Sequence, residues 1–134
     1  MSKYFLYTDG AARGNPGPAG AGAFICTGDG KTVAEIAEYL GETTNNVAEY
    51  KGLIYGLEKL IELGAKDVEI RADSELMVRQ LNGQYKVKHP NLIPLYREAL
   101  DLLRKIPSFK IMHIRREQNA EADRLSNEAI DNHY

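Results

Sequence analysis

Lys3-Tyr4-Phe5-Leu6-Tyr7-Thr8-Asp9-Gly10 is the stretch on which the architecture turns. From Lys3 to Thr8 it is almost continuously apolar or aromatic, the pattern of a strand covered on both faces. It then stops on an acid and a glycine. The segment Gly10 to Gly22 is rich in Gly and Pro and reads as a turn leading into a second strand near Ala19 to Cys26. Asp29-Gly30 is a hairpin signal, and Thr32 to Leu40 alternates as a third strand should. Three hairpin-linked strands of this kind form an antiparallel meander.

Beyond Leu40 the period changes. Tyr50, Leu53, Ile54, Leu57, Leu60 and Ile61 recur at helical spacing, with Lys51, Glu58, Lys59 and Glu62 on the opposite side. Thr44 or Asn45 suits the cap at its start and Gly64 the stop at its end. Val68, Ile70 and Ala72 alternate with polar residues in a fourth strand that ends at Asp73. A short helix spans Ser74 to Leu81, and a longer one about Leu92 to Lys105 between Pro90 and Pro107. Phe109 to Arg115 makes a fifth strand, and Asn119 caps a last helix holding Ala122, Leu125 and Ala129. The order β-β-β-α-β-α-α-β-α places the chain in the α/β class. It predicts a mixed five-stranded sheet, with strands four and five parallel to strand one and helices on both faces.

At 134 residues the chain is long enough for a real hydrophobic core and is expected to form one domain over 1–134. A single cysteine, Cys26, excludes an internal disulfide and suits a reducing compartment. Its apolar setting makes it a structural thiol. No secretion signal precedes the strand-like run at Lys3, and no apolar run approaches the roughly 20 residues of a membrane helix. The expectation is a cytoplasmic, monomeric protein without a membrane partner. The net charge of −2 lacks the basic footprint of most nucleic-acid binders. Two divalent ions would turn −2 into about +2, concentrated at their site.

Four carboxylates stand in contexts suited to holding such ions: Asp9, Glu49, Asp73 and Asp123. In open α/β sheets, ligands bind outside the carboxyl ends of strands. Asp9 and Asp73 both occupy such an end, and they emerge side by side if strands one and four are parallel neighbours. Glu49 lies one turn before Leu53 on the core-facing edge of its helix. Asp123 follows Asn119 by one turn. Four acids gathered in one place repel each other unless cations neutralise them. An all-oxygen set with no Cys/His cluster selects Mg²⁺ or Mn²⁺ rather than zinc. Two ions roughly 3.5–4 Å apart would clamp the attacking and leaving oxygens of a phosphodiester. Glu69, Glu117 and Glu121 read instead as solvated charges. Gly30-Lys31-Thr32 is no phosphate loop, because it leads into a strand.

Tyr7-Thr8-Asp9-Gly10-Ala11 with Arg13-Gly14-Asn15-Pro16-Gly17-Pro18 resembles the opening of type 1 ribonuclease H. Thr43-Thr44-Asn45-Asn46 with Ala48-Glu49-Tyr50 is similar to the family's second motif, Asp73-Ser74 to its third, and Asn119 with Ala122-Asp123 to its fourth. The match runs from about Lys3 to Ile130. The resemblance implies a ribonuclease H-like fold and endonucleolytic cleavage of the RNA strand of an RNA–DNA hybrid, leaving 5′-phosphate and 3′-hydroxyl ends. It assigns Asp9, Glu49, Asp73 and Asp123 to two Mg²⁺ ions and brings Glu49 to the RNA 2′-hydroxyl, the group that distinguishes RNA from DNA. Asn15, Asn45 and Asn46 match positions at the hybrid's minor groove, and Thr44 one at a DNA phosphate. Asn15 also suits a turn and Thr44 a helix cap.

The chain departs from the family pattern in three places. The loop Arg115-Arg116-Glu117-Gln118 lacks the histidine many relatives carry there, leaving the assisting role vacant or to Glu117 or Arg116. The basic helix and loop of many bacterial relatives is missing, and Gly83 to Pro90 offers only Lys86, Lys88 and His89. Glu75 stands near a position where relatives often have an amide, in contact with the minor groove. Two rival readings accompany the hybrid nuclease. One is a broader enzyme that also cleaves double-stranded RNA. The other is a silent hybrid-binding module.

Overall fold

The computed structural model describes residues 3–133. Its elements are β1 (Tyr4–Ala12), β2 (Gly17–Thr27), β3 (Thr32–Thr43), α1 (Asn45–Glu62), β4 (Asp67–Ala72), α2 (Glu75–Leu81), α3 (Ile93–Leu103), β5 (Ser108–His113) and α4 (Ala120–Asp131). A single 3₁₀ turn at Arg116–Gln118 precedes α4. The five strands form one sheet in the order β3-β2-β1-β4-β5. β1–β2 and β2–β3 pair antiparallel, β1–β4 and β4–β5 parallel. The expected mixed sheet is therefore present, with β1 at its centre.

Alternation along the strands divides the core. Leu6, Ala23, Ile25, Val68 and Ile70 face α1, which answers with Leu53, Leu57 and Leu60, all essentially inaccessible. Each such leucine contributes roughly 1.5–3 kcal/mol by burial. Neighbouring positions on β2 turn the other way. A Cβ on Gly20 would lie 2.2 Å from the Ser126 carbonyl oxygen, and one on Gly22 2.4 Å from that of Ala122. Residues 20 and 22 are thus glycine because α4 lies directly on the strand backbone.

That close approach corrects one expectation. Most of Gly10 to Gly22 is strand, not turn. Only 13–16 forms the connection, closed by the Arg13 N–H donating to the Pro18 carbonyl at 2.8 Å. Gly10, Gly20 and Gly22 answer to helix packing rather than to chain reversal, which Gly14 serves with its positive φ of 98°.

β1 is also not covered on both faces along its whole length. Leu6 and Thr8 are fully buried, whereas Phe5 and Tyr7 are only partly so, because α4 covers the sheet beyond them. The Arg71 guanidinium lies 4.8 Å from the Phe5 ring centre and 5.4 Å from that of Tyr7. Glu69 is likewise no solvated charge. It is 8% exposed and paired with Arg71 at 2.6 Å and Lys3 at 3.4 Å, which hold its carboxyl below the usual range. Among the described residues, no helix is long and apolar enough to cross a membrane.

Candidate active site

The site forms where the central strands part. β1 and β4 pair as far as Thr8↔Ala72, while β1 and β2 remain paired to Ala12↔Ala19. Asp9 therefore sits inside β1 rather than at its end, correcting the simplest reading of the sequence. What ends beside Asp9 is the pairing with β4, and Asp73 is the first residue past that point. The two carboxylates meet at this fork.

Glu49 reaches the fork from α1, held close by Gly10, whose Cα faces the backbone of Ala48 and Glu49. Thr44 caps α1: its hydroxyl accepts the Val47 N–H at 3.2 Å. Asp9, Glu49 and Asp73 each present an oxygen within 4.8 Å of the others. Asp123 comes from α4 and lines the same cavity of about 500 Å³, outside that tightest group. Asn127 holds it, donating to the Asp123 main-chain carbonyl at 2.9 Å and to its Oδ1 at 3.3 Å. Asn119 caps nothing with its side chain; its amide turns inward instead, donating to the Thr8 carbonyl at 2.9 Å and Asp73 Oδ2 at 3.0 Å.

The other expected contacts divide. Asn45 lines the carboxylate cavity, while its N–H donates to Asn15 Oδ1 at 3.1 Å. Asn15, Thr44 and Asn46 line a second cavity of about 400 Å³ with Lys86, Lys88 and His89. Glu75 lines neither; its carboxylate pairs with Arg79 at 3.0 Å. Arg116 faces the carboxylates and Glu117 does not. Arg13 also lines this cavity, which its place in a turn did not foretell, and it is tied to Asp131 at 2.6 Å.

Gathering these carboxylates in one place is electrostatically unfavourable. Burial and the Asp73 charge push the Asp9 carboxyl up to about 7, and burial with the Asp9 charge drives Glu49 well above its ordinary value. Glu49 Oε2 is buried with no hydrogen-bond partner among the described residues. An all-oxygen donor set with an orphaned inward oxygen fits a hard divalent cation. In the folded protein Asp9 keeps a proton that the unfolded chain releases near pH 4, so folding stability falls as pH rises from about 4 to about 7. In chelator, the free energy of unfolding should therefore be lower at pH 8 than at pH 5, by an amount on the order of 2 kcal/mol. Mg²⁺ should restore the loss at pH 8, and Asp9→Asn should flatten the dependence. Thermal melts of both proteins across that range check this.

A family model described as reverse transcriptase-like matches residues 7–129. The chain is 44% identical over 125 residues to ribonuclease HI of Halobacterium salinarum, covering 93% of this chain and 63% of that protein. The crystal structure of RNase H1 from that archaeon superposes with a TM-score of 0.93, covering 97% and 98% of the two chains. A bifunctional protein of Mycobacterium tuberculosis is 46% identical over 130 residues, covering 96% of this chain and 36% of its own length. The chain thus spans about a third of that relative. LC11-RNase H1, isolated from compost by a metagenomic approach and solved in complex with an RNA/DNA hybrid, is 49% identical with a TM-score of 0.92, covering 97% and 98%. The motifs quoted above, the strand order and these matches agree, and the chain belongs to the type 1 ribonuclease H family.

Proposed function

We propose that residues 1–134 form one catalytic domain that cleaves the RNA strand of RNA–DNA hybrids, with Asp9, Glu49, Asp73 and Asp123 as its catalytic carboxylates. The observation that carries this reading is the convergence of all four on one cavity, three of them within 4.8 Å of one another. A pure binding module has no use for negative charge facing phosphates. Asp9, Glu49, Asp73 and Asp123 would hold two Mg²⁺ ions, or Mn²⁺ in their place, which would supply Lewis-acid stabilisation of the charge developing on the scissile phosphate. The protein holds the ligating carboxylates in a set suited to hard cations and orients the strand. In this reading the products carry 5′-phosphate and 3′-hydroxyl ends.

The substrate assignment draws on the second cavity and on the hybrid-bound relative. Thr44, Lys86 and Lys88 face a nucleic-acid backbone running past the carboxylates, while Asn15, Asn45 and Asn46 meet base edges without sequence preference. Glu75, held by Arg79, contributes at most a minor-groove rim contact. Glu49 discriminates the sugar through the 2′-hydroxyl. Arg116 takes the assisting position in place of the absent histidine, because it faces the cavity and, among the described residues, makes no salt bridge. The working form is read as a cytoplasmic monomer.

The test is cleavage of end-labelled hybrid, duplex RNA and duplex DNA with Mg²⁺, Mn²⁺ or chelator. The expected result is metal-dependent cleavage of the hybrid's RNA strand and none of duplex DNA. Cleavage of duplex RNA at a comparable rate would favour the broader nuclease. No cleavage of hybrid with either metal would leave a hybrid-binding module.

A further inference from the structure

We propose that Asn119 is a positioning residue that ties the β1–β4 fork to α4 and holds Asp73 in its working orientation. The inference rests on the reading of the cavity as an active site. Where β4 leaves β1, the Thr8 carbonyl loses the strand partner that would continue the ladder. The Asn119 amide takes that place from the side chain, at 2.9 Å, and gives its second hydrogen to Asp73 Oδ2 at 3.0 Å. The side chain is 1% exposed and its Oδ1 has no partner among the described residues, so its donor end is what the fold uses.

The backbone of Asn119 carries the connection further. Its carbonyl accepts the Asp123 N–H at 3.0 Å, one turn into α4. One buried residue therefore joins the residue before Asp9 and the carboxylate of Asp73 through its side-chain amide, and the turn that presents Asp123 through its main chain. Rotation of Asp73 away from the triad requires breaking this charge-assisted hydrogen bond. Partners that orient ligating carboxylates typically alter metal affinity or activity about 10- to 100-fold when removed.

The test compares Asn119→Ala and Asn119→Asp with Asp73→Asn and with Ala129→Gly, which weakens α4 past Asn127, the last α4 residue to line the cavity. Readouts are kcat and KM on labelled hybrid, Mg²⁺ affinity of the protein alone by calorimetry, and melting temperature. Both Asn119 variants are expected to lose kcat about 10- to 100-fold with KM within about twofold, and to bind Mg²⁺ about tenfold more weakly. Ala129→Gly is expected to lower melting temperature while keeping kcat and Mg²⁺ affinity. The Asp variant preserves volume and decides the matter if the Ala variant does not fold. If the Asn119 variants lose only thermal stability, in the manner of Ala129→Gly, the positioning role is overturned. Full activity in Asp73→Asn would instead overturn the active-site reading, while the calorimetry still reports on Asn119.

Discussion

Asp9→Asn is expected to lower cleavage of an RNA–DNA hybrid by at least about a thousandfold, equivalent to about 4 kcal/mol of transition-state stabilisation. Hybrid binding should survive. Asp9 is 5% exposed and lies at the centre of the group, within reach of both Glu49 and Asp73. An amide in its place keeps the shape but removes the anionic oxygen that a hard cation requires. Burial raises Glu49 most, and the same substitution removes the charge that raises it next, so the metal-free variant should melt higher than the parent at pH 8. A catalytic loss joined to a stability gain distinguishes a charged site from a structural contact. Cleavage rates, hybrid titrations and melts in chelator measure the three quantities, and wild-type cleavage by the variant would remove Asp9 from the mechanism.

The second large effect concerns a residue with no side chain. A Cβ on Gly10 would lie 2.2 Å from the Ala48 carbonyl carbon and 2.3 Å from the Glu49 backbone nitrogen. Both are backbone atoms of α1, so no side-chain rotation relieves the clash. Gly10→Ala must push α1 off the sheet, at a cost of about 2–4 kcal/mol, the upper end of overpacking effects. The element displaced is the one that carries Glu49. Misplacing a catalytic group by about 1 Å can lower rates about a hundredfold. Gly10→Ala is therefore expected to lose both stability and most activity, whereas Gly28→Ala should change stability by no more than about 0.5 kcal/mol. At Gly28 the nearest atom to a new Cβ is Phe5 Cε2, at 3.6 Å. Denaturant unfolding and hybrid cleavage of the two variants check the contrast.

Much of the fold was legible because its signals are local. The helical recurrence of Leu53, Leu57 and Leu60 and the alternation of Val68 and Ile70 each report one burial pattern over a few residues. Thr44 announced its cap in the same way. Readings failed where a residue's role depends on an element distant in the chain. Gly20 and Gly22 resemble turn residues until α4 is laid against them. Glu69 resembles a surface charge until Lys3 and Arg71 close over it. Asn119 occupies a cap position, yet its amide serves a strand fork 111 residues away in the chain.

The candidate site divides along the same line. Residue types and motif spacing alone singled out the four acids and the oxygen-only chemistry they imply, because charge and ligand hardness belong to the side chain itself. Their meeting point depended on where β1 and β4 stop pairing, and on glycines that let α1 and α4 approach the sheet backbone. Proximity, burial and the resulting upward push on Asp9 and Glu49 are properties of the assembled chain. They arise from groups separated by tens of residues sharing one small volume, which no local pattern encodes.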